Sequence, residues 1–298
     1  MSPSSDTAAS GTAASGTAAS GTTTHWRPAG PALLFCPADR PERYAKALDR
    51  ADTVILDLED AVAPERRPAA RRALIDTPLD PERVIVRLNP AGTDDHAADL
   101  AALARTRYRV VMLAKTEDAA SVRALDAAVI ALIETPLGAV RCEEIAAVDR
   151  CVGLMWGAED LVAGLGGTAS RFGADEPGAG GYRDVPRLAR ARVRLAAGAF
   201  GKAAIDAVHL DIPDVDGLAR EVRDAVALGY DATACIHPSQ VATVRDGYAP
   251  SPAELAWARR VLAAADDHDG GVFRLDGRMV DAPVFDQAQS MLRRSGGR

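Results

Sequence analysis

The sequence predicts a (β/α)₈ barrel, the TIM-barrel arrangement. Three observations point there: eight short apolar runs follow residue 31, segments of helical period separate them in strict alternation, and polar residues gather where the runs end. An open doubly wound sheet is the lesser alternative for the same alternation, and no GxGxxG follows the first run.

Residues 1–30 come first, a Ser/Thr/Gly/Ala tract that repeats TAASG three times between Thr7 and Gly21. Such a composition buries too little surface to offset its ordering entropy, so a disordered low-complexity tail is expected. Its five-residue period excludes collagen. Run one, Ala32–Cys36, leads into a helix over Arg40–Arg50. Thr53–Leu58 is followed by Pro64–Thr77, Val84–Leu88 by Asp95–Tyr108, Val110–Ala114 by Glu117–Ala127, and Val129–Ile133 by Gly138–Val148. Cys151–Trp156 precedes a long glycine-bearing connection and then the helix Val185–Phe200. The seventh run, Ala207–Leu210, is followed by Val215–Ala227, and the eighth, Ala232–Ile236, by Ser239–Arg245. The barrel domain therefore spans residues 31–248. Residues 249–298 add the helix Ser251–Ala265 and a short element within Val272–Arg298, and read as a C-terminal helical lid or oligomerisation arm.

A chain of 298 residues suits one such barrel with an appendage. Net charge is −7 and no long basic run occurs, which excludes a nucleic-acid binder. No apolar run is long enough to span a bilayer, and the N-terminus lacks a signal peptide, so no membrane partner and a cytoplasmic location are expected. Cys36, Cys142, Cys151 and Cys235 show no CxxC spacing, in keeping with a reducing compartment.

Barrel enzymes build their active sites at the carboxyl ends of the strands. Here those ends carry Asp57, Glu59 and Asp60 after run two, Arg87 and Asn89 in and after run three, and Lys115 after run four. Glu134 follows run five, Glu159 and Asp160 follow run six, and His237, Pro238, Ser239 and Gln240 follow run eight. Any single carboxylate there has helix capping as its alternative role. Several converging at one mouth suit a hard cation such as Mg²⁺. His25, His96, His209, His237 and His268 have no HxH or HExxH spacing, which argues against zinc, and His209 is expected inside a strand. Lys115 has two readings, a Schiff-base nucleophile or a salt-bridging or phosphate-contacting lysine, and the second is preferred. No GxSxG elbow supports a serine hydrolase, and the loops Gly164–Gly167 and Gly178–Gly181 lack the Walker lysine and serine.

The blocks LLFCPADRPERYAKAL (33–48), DLEDAV (57–62), VIVRLNP (84–90), IETP (133–136), GAEDL (157–161), IHPSQ (236–240) and GRMVDAPVFDQA (277–288) resemble, in this order and spacing, a known family. It is the citrate lyase β-subunit-like CoA-ester lyases of the HpcH/HpaI aldolase group, and the likeness covers nearly everything after the tail. The resemblance implies a Mg²⁺-dependent barrel, with Mn²⁺ as a substitute ion, that makes or breaks a carbon–carbon bond between an acyl-CoA and a 2-oxo acid. It implies Glu134 and Asp160 as metal ligands, Glu134 also lying against substrate, and Arg87 as the arginine that holds the oxo acid. Asp281 matches an acid/base that family members insert into a neighbouring subunit, which implies a homotrimer or homohexamer. Arg40, Arg43 and Lys46 match positions near the CoA phosphates, and His237-Pro238 a loop that closes over CoA. Asp57, Glu59 and Lys115 are then supporting residues behind the ligands. Ala114, Thr233 and Ala234 depart from the family pattern. A CoA-independent oxo-acid aldolase and a non-catalytic lyase subunit are the alternatives.

Overall fold

The computed structural model describes residues 26–266 and 271–296; the TAASG repeat, His25 and His268 lie outside them. Eight parallel strands close in chain order: β1 (Ala32–Pro37), β2 (Thr53–Asp57), β3 (Val84–Leu88), β4 (Val110–Leu113), β5 (Ala128–Ile133), β6 (Cys151–Trp156), β7 (Ala203–Asp206) and β8 (Ala232–Cys235). β8 pairs back to β1 through Ala32–Thr233 and Leu34–Cys235, so the sheet has no free edge and the open-sheet alternative falls. Around the barrel run α1 (Tyr44–Arg50), α2 (Arg67–Asp76), α3 (Asp94–Leu103), α4 (Ala119–Arg123), α5 (Pro136–Val140), α6 (Cys142–Ala146), α7 (Ala158–Gly164), α8 (Asp184–Ala199), α9 (Val215–Leu228) and α10 (Gln240–Tyr248). Three Pro-Glu-Arg triplets, at Pro41, Pro64 and Pro81, each form a single 3₁₀ turn, because proline's fixed φ and missing N–H suit a first helical position.

Period-two alternation sorts the strand residues between two cores. Leu33, Ile55, Ile85, Met112, Ile130 and Leu132 fill the barrel interior with Met155, Ile205 and Ala234, and Trp26 packs against them. Leu34, Leu56, Val86, Leu113 and Ile133 face the surrounding helices. The inward parity continues past Ile55, Ile85 and Leu132 to Asp57, Arg87 and Glu134, which makes the upper layer of the interior polar. In the β5–β6 pairing the register slips between Val129 and Ile130, leaving Val152 as the extra residue. That bulge turns Met155 inward and Trp156 outward, and brings Gly157 beside Glu134.

Several elements depart from the sequence reading. The seventh strand is Ala203–Asp206, not Ala207–Leu210: Gly153, Leu154 and Met155 of β6 pair with Ala203, Ala204 and Ile205, and this tertiary pairing outweighs the low β-propensity of alanine. His209 consequently lies in the loop after β7 instead of within a strand. The helix expected over Gly138–Val148 is two short helices, α5 and α6, broken at Arg141. α4 is only Ala119–Arg123, starting where the Asp118 side chain accepts from Ser121 N at 2.7 Å. After α10 come α11 (Pro252–Asp266), the hairpin β9 (Phe273–Leu275) and β10 (Arg278–Val280), and α12 (Ala282–Gly296). This arm has its own apolar cluster, including Ala258, Val261, Phe273, Val280 and Ala288. The four cysteines are buried free thiols. Among the described residues no helix is long and apolar enough to cross a membrane.

Candidate active site

β2 and β3 pair with Asp57 directly beside Arg87. Arg87 Nε and Nη2 donate to the two Asp57 carboxylate oxygens at 2.7 and 2.6 Å, and Nη1 lies 3.2 Å from Glu59 Oε2. The guanidinium also stacks 4.8 Å from the centre of the Phe35 ring. Asp57 is fully buried and Arg87 is 9% exposed. Burial alone would lower the arginine's pKa, but Asp57, Glu59 and Glu134 overcome it and hold the guanidinium above its usual range. Three of the nitrogens' five N–H donors are thus engaged, leaving two for a ligand. Asp57 also accepts from Glu59 N at 3.0 Å and Ala61 N at 3.1 Å, which fixes the turn after β2.

Glu134 is the first residue beyond β5 and is 3% exposed. Its Oε1 accepts from Lys115 N at 2.9 Å. Its Oε2 occupies space that only a glycine at 157 leaves open: a Cβ there would sit 3.0 Å from Oε2 and 2.8 Å from Glu134 Cβ. Burial, with the negative charge of Asp160 beside it, pushes the Glu134 carboxyl up to about 8. Asp160 lies in the first turn of α7, a helix absent from the sequence reading, and its side chain is half-exposed. Lys115 joins the cluster: its ammonium pairs with Glu59 and lies 3.3 Å from Asp60 Oδ2 and 3.5 Å from Asp160 Oδ1. Although burial favours the neutral amine, the hydrogen bond to Glu59 and the charge of Glu134 hold Lys115 above its usual range, and the contacts it makes here are ion pairs. Burial raises Glu59 as well, opposed by Arg87 and Lys115. The structure therefore brings together Arg87, Asp57, Glu59, Lys115, Glu134 and Asp160 at one mouth.

Other residues singled out by sequence lie around or away from this cluster. Arg40, Arg43 and Lys46 are exposed on the loop and helix after β1. His237 is exposed on the loop after β8, its Nδ1 2.7 Å from Ser239 Oγ, with Pro238 half-buried next to it. Asp281 immediately precedes α12, where its carbonyl accepts from Val284 N at 3.0 Å and Phe285 N at 3.1 Å. Among the described residues no hydrogen bond or ion pair joins Asp281 to the mouth cluster within one chain. Two contributors, Phe35 and Arg171, escaped the sequence reading, and Gln240 was marked there only by its place after the eighth run. Phe35 had a signal, since it shares the inward face of β1 with Leu33. Gln240, whose Oε1 accepts from Ile236 N and His237 N while its amide donates to His209 O, had none beyond its position. Arg171, which pairs with Glu221 and stacks 3.8 Å from the Tyr182 ring centre, ties the glycine-rich segment after α7 to α9.

Residues 32–130 and 126–238 match the sequence profile of the HpcH/HpaI aldolase/citrate lyase family. A citrate lyase subunit beta-like protein of Mycobacterium tuberculosis is 60% identical over 271 residues, covering 91% of this chain and 97% of that protein. The mitochondrial citramalyl-CoA lyase of Homo sapiens is 31% identical over 293 residues, covering 87% and 83% respectively. Among solved structures, CitE from M. tuberculosis in complex with magnesium, acetoacetate and coenzyme A superposes with a TM-score of 0.84 at 60% identity, over 91% of this chain and 100% of that one. Barrel closure, the mouth cluster and these likenesses agree, and the chain belongs to the HpcH/HpaI aldolase/citrate lyase family.

Proposed function

We propose that the chain is a Mg²⁺-dependent carbon–carbon lyase or condensing enzyme for a 3-hydroxyacyl-CoA of the malyl-, β-methylmalyl- or citramalyl-CoA type. Acetyl- or propionyl-CoA and a 2-oxo acid are the products of cleavage or the substrates of condensation. The observation that carries this reading is the buried Glu134 carboxyl set against Asp160, beside an arginine immobilised with two N–H donors to spare. The relatives support it, since one solved structure contains magnesium, acetoacetate and coenzyme A and another relative is a citramalyl-CoA lyase.

The donor set fits the ion. Glu134 and Asp160 offer oxygen ligands only, and the negative charge of the half-exposed Asp160 disfavours ionisation of the buried Glu134 until a cation lies between them. Mg²⁺, or Mn²⁺ in its place, is commonly held by one or two carboxylates plus water and substrate oxygens, the number that Glu134 and Asp160 supply. When bound, the ion supplies Lewis acidity to the oxo-acid oxygens. Arg87 directs its remaining N–H donors at the oxo-acid carboxylate, and Asp57 keeps the guanidinium in that orientation. In cleavage the 3-hydroxyl loses its proton as the C2–C3 bond breaks, and the thioester enolate takes up a proton at its α-carbon. Asp281 of a neighbouring subunit is the proposed proton carrier, which makes a homotrimer or homohexamer the working form. Arg40, Arg43 and Lys46 supply positive charge for the CoA phosphates, and the His237-Pro238 loop closes on the cofactor's far side.

Calorimetric titration with Mg²⁺, CoA and a panel of 2-oxo acids tests this assignment. Glu134→Ala and Asp160→Ala should abolish Mg²⁺ binding. Asp281→Ala should retain ternary binding and lose turnover, whereas continued cleavage of a free oxo-acid aldol by that variant would favour the CoA-independent aldolase. Binding without any turnover in the wild type would favour the non-catalytic subunit.

A further inference from the structure

Lys115 is one of two non-glycine residues with positive φ among the described residues, at φ 48°. A lysine tolerates this left-handed backbone only where its surroundings determine it more strongly than its own preference. They do so here: Thr116 N donates to Leu132 O at 3.1 Å, Thr116 Oγ1 donates to Leu113 O at 2.7 Å, and Lys115 N donates to Glu134 Oε1 at 2.9 Å. One residue therefore touches the mouth carboxylates in two ways. Its main chain holds Glu134, and its ammonium reaches Glu59, Asp60 and Asp160.

The charges around it are unbalanced. Among the described residues, the carboxylates of Asp57, Glu59, Asp60 and Asp160, with the buried Glu134 carboxyl beside them, make their ion pairs at this mouth with Arg87 and Lys115. The Lys115 contacts also differ in kind. Glu59 is almost fully buried and its contact is close, whereas Asp160 is 40% exposed and its contact is the longest, at 3.5 Å.

We infer that Lys115 is a built-in placeholder cation: its ammonium partly neutralises Asp160 before Mg²⁺ arrives and yields that carboxylate to the ion, while its main-chain N–H keeps Glu134 aimed at the same point. This inference rests on the Mg²⁺ reading of Glu134 and Asp160. Lys115 is thus a positioning residue that opposes metal entry through its charge and favours it through its backbone. The ammonium remains anchored by Glu59 when Asp160 is released.

The test is calorimetric titration of Mg²⁺ into the full-length, metal-free protein and its Lys115→Met, Lys115→Gln and Lys115→Arg variants. Removing a partly exposed competing charge should tighten Mg²⁺ binding by about five-fold in both neutral variants. Lys115→Arg retains the charge and should stay within about two-fold of wild type. The rise in melting temperature on adding Mg²⁺ should likewise be larger for Met and Gln than for wild type. Weaker or unchanged Mg²⁺ binding in the neutral variants overturns the placeholder role, as does equal tightening in Lys115→Arg. Absence of Mg²⁺ binding by the wild type would instead remove the metal reading on which it rests.

Discussion

Replacing Asp57 by alanine strips Arg87 of its bidentate partner at 2.7 and 2.6 Å while leaving the guanidinium enclosed by Glu59 and Phe35. Removing one member of a buried ion pair costs about 3–5 kcal/mol, because the remaining charge has no water to turn to. The same substitution leaves Glu59 N and Ala61 N without their acceptor, which adds about 1–3 kcal/mol. A total loss of about 4–8 kcal/mol is expected, a large share of the roughly 5–15 kcal/mol by which domains are stable. Urea denaturation followed by circular dichroism reads it directly. Arg87→Met removes the stranded charge, so the Arg87→Met, Asp57→Ala double variant should recover at least about 2 kcal/mol relative to additivity. High salt should leave the loss in place, since the pair is shielded from solvent. A loss below about 1 kcal/mol, or strict additivity, would refute the claim that Asp57 exists to hold Arg87.

Further outcomes follow from individual contacts. Burial and the neighbouring Asp160 push Glu134 up to about 8, so the metal-free protein should carry a proton there at pH 7 that Mg²⁺, bound as proposed, would displace. Affinity should fall about ten-fold per pH unit below that value, with proton release seen by calorimetry in buffers of different ionisation enthalpy; a flat profile from pH 6 to 8 contradicts it. The sign for stability is the reverse of an ordinary carboxylate. Because the folded pKa is raised, its contribution to the metal-free fold is present below the unfolded value and lost as pH climbs toward about 8. Trp156→Phe removes the 2.7 Å bond from Nε1 to Asp206 Oδ1 in a fully buried site, and should lower the melting temperature by roughly 2–5 °C. An unchanged melting curve would show that Arg190, bidentate to Asp206 at 2.9 and 2.8 Å, suffices alone. Arg171→Ala cuts the tie to Glu221 and Tyr182, so limited proteolysis within residues 173–181 should accelerate. Equal cleavage rates would mean that the hydrogen bonds from Phe172 N to Gly181 O and from Gly180 N to Phe172 O hold the segment without it.

The barrel was legible because alternation and inward parity are local properties, and parity alone carries Asp57, Arg87 and Glu134 to one layer above Ile55, Ile85 and Leu132. β7 was misplaced by four residues because Ala203 and Ala204 lack strand propensity, and only pairing with β6 identifies them. Asp160 was legible as a residue but not as part of a helix, since α7 is too short to display a period. The bulge at Val152 left no sequence signal, yet it decides that Gly157 faces Glu134. The backbone of Lys115 was equally hidden, because a lysine with positive φ is defined by its neighbours and not by its own side chain. Asp281 makes no hydrogen bond or ion pair with the mouth cluster among the described residues, and the contact between copies proposed for it is not written in the sequence of one chain.

The central claim is best tested by offering malyl-, β-methylmalyl- and citramalyl-CoA to the purified protein and identifying the products by mass spectrometry, with and without a chelator. The account predicts a shortened acyl-CoA and a 2-oxo acid in equal amounts, lost on chelation, restored by Mg²⁺ and absent in Glu134→Gln. Turnover that survives chelation, or release of free CoA without any oxo acid, would contradict it.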